Sequence, residues 1–405
     1  MINKSIEYNY IPRDFRDFYS ERSSILVYIL MTFIFLSVLN RFQFGISLNG
    51  VIVPIILFVV VIFFTKRSFK LSRGHALIVL FWIFATLSTF KSRLVSPQRD
   101  TITFLVFCIF FILSTGINYT KNEVKLILKT YILTCVICSI NIIWNFINDF
   151  SYSWGRYSIY IFGTHRDPNY VSAFILASLS IVYYKIIVTK GMKFSRKIIF
   201  ISLIAIITIS TLVTGSRTAF MFTIIILVMN FIYNLINRKN SIINLPILLV
   251  FAFLLFNISK NIVPQEILMR LTNFESYTED IRMTLWKQGF EVFERFPILG
   301  AGLGGLNVYL FNIGFFDSHN LYLDILCGQG LIGIILIAML FKEFLRVQKK
   351  DKFLIFVLII SFFMPLSSIN GFNTTTFWTP IILCQIFSNY SRANKDGLIN
   401  VIREI

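Results

Sequence analysis

The sequence predicts an all-α polytopic membrane protein with about twelve transmembrane helices, each near the roughly 20 residues that a bilayer requires, and one long extracytoplasmic loop. The 405 residues are 56% hydrophobic and only 14% charged, with a mean hydropathy of +0.74. A soluble domain carries about 25% charged residues. This composition excludes a soluble enzyme, a disordered protein and a secreted disulfide scaffold.

Apolar runs bounded by charged or turn residues define the spans. The predicted spans are 24–40, 46–65, 75–91, 100–118, 125–147, 169–188, 197–213, 217–236, 243–259, 319–341, 352–370 and 375–391. Residues 1–23 are charged and contain Pro12, so they are interpreted as a cytoplasmic segment rather than a signal peptide. Residues 260–318 form the predicted loop, and residues 392–405 form a predicted cytoplasmic tail.

Basic residues set the predicted orientation. With the N-terminus inside, about two thirds of the 38 Lys and Arg residues fall on the cytoplasmic side, as expected of membrane proteins. Both termini are then cytoplasmic, and the 260–318 loop faces outward. Attraction to anionic lipid headgroups accounts for the remaining basic excess. The net charge of +18 therefore gives no reason to expect a nucleic-acid partner.

The cysteines do not predict redox chemistry. Cys108, Cys135, Cys138, Cys327 and Cys384 all fall within apolar spans. Cys135 and Cys138 form a C-x-x-C pair, which in a membrane helix favours packing over catalysis. No disulfide is expected.

Two stretches match the dinucleotide pattern G-x-G-x-x-G. They are residues 300–305 in the predicted loop and residues 328–333 in the predicted tenth span. Neither follows a strand in a βαβ unit, which the pattern requires. The first is interpreted as a flexible turn and the second as small residues that let helices approach. There is no D-x-D metal and nucleotide motif and no P-loop, so nucleotide-sugar or ATP chemistry is not supported and no cofactor is expected.

Arg217 is a candidate functional residue because of its depth. It follows the three-residue outer turn 214–216 between two predicted spans, so it lies at the outer membrane interface. An ionisable group there is a functional-site hypothesis by default. The alternative is that Arg217 snorkels to lipid phosphate.

Residues 279–296 of the loop predict an amphipathic helix on the membrane surface, above the bundle. Its apolar residues are Ile281, Leu285, Trp286, Phe290, Phe293 and Phe296. Arg282 would then hang over any cavity that the bundle leaves. The alternative is a solvated charge on an exposed helix face.

His319 lies where the loop enters the tenth predicted span, on one helix face with Tyr322. Asp317 or Asp324 could hold the tautomer of its imidazole, and the sequence does not decide between them. Histidine changes charge near neutral pH and suits general-base catalysis. A purely structural helix-cap role is the alternative. His165 is the other histidine predicted to face outward.

Together these pieces resemble the O-antigen ligase and polymerase superfamily. The motifs are Arg166-Asp167-Pro168-Asn169-Tyr170, Thr214-Gly215-Ser216-Arg217-Thr218-Ala219, Arg282 with Trp286, Pro297 and Gly300-Ala301-Gly302, and Ser318-His319-Asn320-Leu321-Tyr322-Leu323. They cover roughly residues 160–335. The resemblance implies a metal-independent glycosyltransferase that uses undecaprenyl-diphosphate-linked glycans. It also implies that Arg217, Arg282 and His319 are catalytic. The modest length of the loop departs from the family and leaves the acceptor site undefined.

The residue types suit that chemistry. Arginine forks bind phosphate oxygens in pairs and can stabilise a leaving diphosphate without a metal. His319 would take the proton of an acceptor hydroxyl. Arg166, Asn169 and Tyr322 are predicted substrate-binding residues. In an alternative reading, Arg166 and Asp167 pair structurally at the start of the sixth span.

The favoured function is polymerisation of lipid-linked repeat units into O-antigen or capsule at the outer face of the bacterial cytoplasmic membrane. One alternative is the ligase that transfers glycan to lipid A core. Another is a lipid-linked glycan flippase, which would be expected to show internal repeats, and no repeat is evident. The expected partners are the undecaprenyl-diphosphate-linked oligosaccharide and membrane lipid, with a chain-length regulator and a flippase as candidates.

Overall fold

A computed structural model describes most of the chain. The described residues are 25–39, 55–59, 62, 68–92, 97–148, 152–153, 156–157, 159–161, 164–189, 191–237, 265, 269, 277–312, 314, 318–369 and 374–405. The predicted span 243–259 lies outside them, as does most of 46–65.

The described chain is helical, as predicted, except for two short antiparallel strand pairs. The helices are α1 (Ile25–Leu39), α2 (Arg73–Ser92), α3 (Pro97–Thr115), α4 (Lys121–Asn148), α5 (Pro168–Val188), α6 (Phe194–Val213), α7 (Arg217–Asn237), α8 (Tyr277–Arg295), α9 (Gly305–Phe311), α10 (Leu321–Phe344), α11 (Lys352–Phe363), α12 (Thr375–Ala393) and α13 (Gly397–Glu404), with a 3₁₀ turn at Met364–Ser368. Between α4 and α5, β1 (Tyr152–Ser153) pairs with β2 (Arg156–Tyr157), and β3 (Ile159–Ile161) pairs with β4 (Thr164–Arg166). Tyrosine and isoleucine in this stretch favour extended backbone.

Within the described residues, six helices are long and apolar enough to cross a membrane. They are Arg73–Lys91, Lys121–Asn148, Pro168–Val188, Phe194–Val213, Arg217–Ile236 and Leu321–Phe344. Three apolar helices are shorter, at Ile25–Ser37, Thr101–Thr115 and Lys352–Ser368. The chain is thus a multi-pass membrane protein, and the count of about twelve spans stays a prediction.

Helix α5 lies at the centre of the bundle. Of the 18 most apolar consecutive residues of α5, 89% are buried inside the protein. Helices α4, α6, α7 and α11 all pack against it. Its sequence is apolar all round, with small residues such as Ala173, Ala177 and Ser178 between larger ones. A helix that is hydrophobic all round is buried in protein or in lipid, and here the small residues let neighbouring helices approach closely.

Helix α10 is broken at Gly330, where φ is 61° and ψ is −159°. Residues 297–302, which follow α8, lie against the break. Ala301 N donates to Cys327 O at 2.7 Å and Leu331 N donates to Pro297 O at 2.9 Å. Backbone groups at membrane depth must be satisfied within the protein, and this contact satisfies them. We call residues 297–302 and 327–332 the glycine junction.

The two G-x-G-x-x-G stretches therefore pack on each other, which corrects their separate interpretation as a flexible turn and a spacer. A Cβ added at Gly300 would lie 2.3 Å from the carbonyl carbon of Gly328. Ser88 of α2 donates from Oγ to the carbonyl oxygens of Gly300 and Gly328, at 3.0 and 2.9 Å. Glycine is required here because two backbones meet with no room for a side chain.

Helix α13 folds back onto α4, α5 and α12, within the predicted tail. Asp351, which is fully buried, accepts hydrogen bonds from Leu398 N at 2.7 Å and Ile399 N at 2.9 Å. Lys121 of α4 forms an ion pair with Glu404 and lowers the pKa of that carboxyl. The side chain of Asp351, just before α11, therefore caps the start of α13. This contact holds α13 against one end of the bundle.

Candidate functional site

Direct hydrogen bonds join the start of α5 to the start of α7. Asp167 caps α5, its Oδ1 accepting from Asn169 N at 2.7 Å. Ser216 Oγ donates to Asn169 Oδ1 at 2.7 Å and accepts from Ala219 N at 3.3 Å, as a helix-capping serine does. Two of the motifs that the sequence singled out are thus one structural unit.

Arg217 is the first residue of α7 and is half-buried. A second contact lies at the turn that precedes it, because Ser172 Oγ, which donates to Pro168 O at 2.6 Å, is 3.0 Å from Thr214 Oγ1. Both Ser172 and Thr214 are buried. The guanidinium therefore extends from a rigid base at the end of the bundle.

Helix α8 packs on the first half of α10. Cys327 Sγ donates to Gly289 O at 3.0 Å, and a Cβ on Gly289 would lie 2.6 Å from Leu323 Cδ2. Leu285 is buried, whereas Trp286 and Phe290 are exposed. The predicted single apolar stripe is therefore divided between a buried face and an exposed one, and α8 is part of the packed protein.

Arg282 is half-buried on α8. It precedes Gly289 by seven residues, nearly two full turns, and so shares the face that meets α10. Gly289 contacts Cys327 and Pro297 contacts Leu331, so α8 and α10 run in the same direction. Arg282 accordingly lies toward the start of α10. The ion pairs between described residues do not include it.

His319 immediately precedes the cap of α10 and is exposed. Its φ of 49° places the backbone in the left-handed region. Asn320 is the N-cap, and its Oδ1 accepts from Tyr322 N at 3.0 Å and Leu323 N at 3.2 Å. The imidazole therefore extends from a turn that is fixed on its helical side.

Asp324, one of the two carboxylates predicted to hold the imidazole, is hydrogen-bonded to the serine before His319. Its Oδ1 accepts a hydrogen bond from Ser318 Oγ at 2.6 Å. Ser318 is fully buried and directly precedes His319. The other candidate, Asp317, lies outside the described residues.

The 3₁₀ turn Met364–Ser368 packs against α5, α7 and α10, and two further contacts indicate that it lies near the starts of α7 and α10. Tyr322 donates from its hydroxyl to Phe363 O at 2.7 Å, which ties the start of α10 to the end of α11. Phe353 stacks on Tyr233 at 3.8 Å between ring centroids, so α11 begins beside the far end of α7 and runs toward the start of α7. We call the starts of α5, α7 and α10, together with the turn Met364–Ser368, the three-helix corner.

The corner collects five of the six predicted site residues. Arg217, His319, Asn169 and Tyr322 belong to its helix starts, and Arg282 lies toward it on α8. Asn169 and Tyr322, predicted to bind substrate, each make a hydrogen bond that holds the corner together.

Arg166 lies in β4 opposite Ile159, and His165 lies opposite Tyr160. The structure therefore shows where these residues lie, and their roles stay predictions.

Sequence reasoning missed Ser216 and Ser318 as organising residues. Ser216 had a readable signal, because a serine directly before a long apolar run is a typical helix cap. Ser318 had a weaker one, since its bond to Asp324 spans six residues and crosses a left-handed turn. Among the described residues, no group of three His, Cys, Asp or Glu side chains is placed to hold a metal ion.

The fold and the site together define a class of protein. It is a multi-pass helical membrane protein with arginine and histidine at one end of the bundle. Residues 200–338, about a third of the chain, match the model of the O-antigen ligase family. This match confirms the resemblance to the O-antigen ligase and polymerase superfamily, whose members act on lipid-linked glycans. The matched range contains Arg217, Arg282, His319 and Tyr322, whereas Arg166 and Asn169 precede it. No curated protein matches the chain.

Proposed function

We propose that the protein polymerises undecaprenyl-diphosphate-linked oligosaccharide repeat units into a surface polysaccharide, O-antigen or capsule, at the outer face of the cytoplasmic membrane. The observation that carries the proposal is the convergence of α5, α7 and α10 on one turn. It places Arg217 and His319 at the same end of the bundle, inside the family-matched range.

In the proposed reaction, Arg217 and Arg282 bind the donor diphosphate. Arginine keeps its charge and presents paired N–H donors that fit phosphate oxygens. Arg282 is half-buried, on the face of α8 that meets α10. As the anomeric carbon–oxygen bond breaks, these groups stabilise the charge that develops on the leaving undecaprenyl diphosphate.

His319 acts as the general base in this scheme. An acceptor sugar hydroxyl attacks the anomeric carbon, a new glycosidic carbon–oxygen bond forms, and the imidazole takes the hydroxyl proton. A single displacement of this kind inverts the anomeric configuration. The exposure of His319 beside a fixed helix start allows access by a large glycan acceptor.

Transfer to lipid A core is the second candidate, because the match to the O-antigen ligase family supports both reactions and does not separate them. The two reactions share the donor and differ in the acceptor. Supplying the reconstituted protein with lipid-linked repeat units alone, and then with lipid A core in addition, separates them: ladders of increasing length indicate a polymerase, and labelled lipid A core indicates a ligase.

The test of the catalytic assignment is the initial rate against pH for the wild type and His319→Gln, reconstituted with purified lipid-linked repeat units. We expect the variant to lose about 10²–10⁴-fold in rate. The wild-type rate should fall at acidic pH, because a protonated imidazole cannot accept a proton. His165→Ala, a matched histidine control, should keep most of the activity. A wild-type rate or the same acid limb in His319→Gln would show that His319 is not the base.

A further inference from the structure

The backbone at His319 is strained. With φ at 49°, His319 is the one non-glycine residue with positive φ in the described part of the chain. Residues other than glycine rarely adopt this backbone region, because their Cβ atom comes too close to the following carbonyl oxygen. Such strain persists only where the surroundings over-determine it, and it tends to mark functional sites.

The residue before His319 is held by a short hydrogen bond. Ser318 Oγ lies 2.6 Å from Asp324 Oδ1, a distance typical of a hydroxyl that donates to an ionised carboxylate. The same Oγ lies 3.2 Å from Asn320 O. The hydroxyl has one proton, and the shorter, charge-assisted contact takes it. Asp324 is in the first turn of α10, where the helix dipole favours a carboxylate.

The residue after His319 is held as well. Asn320 N donates to Ser318 Oγ at 3.2 Å, so the serine oxygen bridges both sides of His319. Asn320 also caps α10, and its carbonyl accepts from Asp324 N at 3.0 Å. The turn cannot relax to negative φ without breaking contacts on both sides.

We propose that Asp324 and Ser318 are positioning residues that hold the 318–320 turn in its left-handed form and thereby aim the His319 imidazole. Asp324 acts through the Ser318 hydroxyl and the backbone, and neither residue needs to touch substrate. The inference rests on the proposed function, because the imidazole is aimed at a reacting hydroxyl only if His319 is the base.

The proposal differs from a direct Asp324–imidazole pair in what it predicts for the amide variant. Asp324→Asn keeps an oxygen that can accept from Ser318 Oγ, so the turn survives and most activity remains. A direct pair would instead lose its charge in Asp324→Asn, and the acid limb of the rate profile would move. In Ser318→Ala and Asp324→Ala the turn is released.

Kinetics with purified lipid-linked repeat units test this. Ser318→Ala and Asp324→Ala should each lower kcat by up to about 100-fold, the scale of a misplaced catalytic group, with little change in KM. The double variant should lose no more than either single one. Asp324→Asn should stay much closer to the wild type than the two alanine variants, because its amide oxygen can still accept from Ser318 Oγ, with the acid limb unmoved. Glu294→Ala, on the exposed side of α8, is the control.

Additive losses in the double variant, or a shifted acid limb in Asp324→Asn, would overturn the positioning role. A second readout does not depend on activity. In detergent, His319→Gly should melt at least about 2 °C above His319→Ala, because only glycine accepts the left-handed conformation without strain. Equal melting temperatures would overturn the strained turn. A fully active His319→Gln would instead refute the proposed function and leave the melting comparison intact.

Discussion

At the scale of single residues, Arg217 and Arg282 are held near the three-helix corner by different parts of the protein. Arg217 begins α7 on a turn that Ser172 and Asn169 hold. Arg282 is carried by α8, which is anchored to α10 through Gly289. One arginine therefore belongs to the bundle and the other to the loop, and a diphosphate bound by both would bridge them.

Replacing Arg217 tests whether the arginine fork matters. We expect Arg217→Ala to lower polymer formation by about 10²–10³-fold, as loss of one charge-stabilising group does. Arg217→Lys should stay impaired at least about tenfold, because an ammonium cannot make both hydrogen bonds of the fork. Initial rates in proteoliposomes, normalised to the amount of folded protein, give the comparison.

The matched control for the loop arginine is on the same helix. Arg282→Ala should reduce activity to a similar extent, whereas Arg295→Ala should not, because Arg295 is exposed and lies over the Tyr309 ring. Polymer ladders of normal length from Arg217→Ala at normal expression would show that this arginine only snorkels.

At the scale of secondary structure elements, the glycine junction fixes the loop to the bundle. α8 is followed by a segment whose backbone completes the hydrogen bonding of the broken α10. Thr89 of α2 adds a further tie, accepting from Leu303 N at 2.8 Å through Oγ1. Movement of α8 relative to α10 would expose backbone groups at membrane depth, which is costly.

Gly300→Ala should destabilise the protein by about 2–5 kcal/mol, since left-handed strain adds to overpacking. Gly191→Ala separates the two effects: φ at Gly191 is also positive, at 69°, but an added Cβ would meet nothing within 4 Å. That control should cost only about 1–2 kcal/mol. Thermal unfolding of the purified proteins in detergent measures both. Equal losses for the two variants would contradict crowding at the junction.

Sequence patterns predicted the loop helix but not this junction. Helix α8 at Tyr277–Arg295 lies where periodicity predicts one at 279–296. Gly328 and Gly330 are a local signal for a helix break, but nothing near them indicates the backbone segment about thirty positions earlier that packs against the break. Hydrophobic periodicity reports which face is buried and is silent on what covers it.

At the scale of the whole molecule, sidedness is the prediction on which the proposed function depends. The distribution of basic residues places the connections after Lys190, Lys239 and Lys349 inside and the region near Tyr277 outside. Reporter fusions or cysteine labelling at these positions should report accordingly. An outward signal at Lys349 together with an inward one at Tyr277 would place the three-helix corner in the wrong compartment.

Composition and motif order predicted the membrane class, the motif-bearing helix starts and the family resemblance. They did not predict how the starts of α5, α7 and α10 meet, because Asn169 and Ser216 are 47 positions apart and nothing in either motif names the other. Each motif is a local helix-start signal, and their assembly depends on the packing of the central helix α5.

The docking of α13 also has a consequence for the order in which the protein is made. Its contacts reach back to Lys121, 283 positions earlier, and to Asp351. Chains emerge from the ribosome N-terminus first, so these contacts form only after α1–α12 have all been synthesised. Until then the Asp351 carboxylate has no α13 amides to bind. Closure of this end of the bundle is thus a late event in biogenesis, and a ribosome stalled before Gly397 would hold a bundle that is still open there.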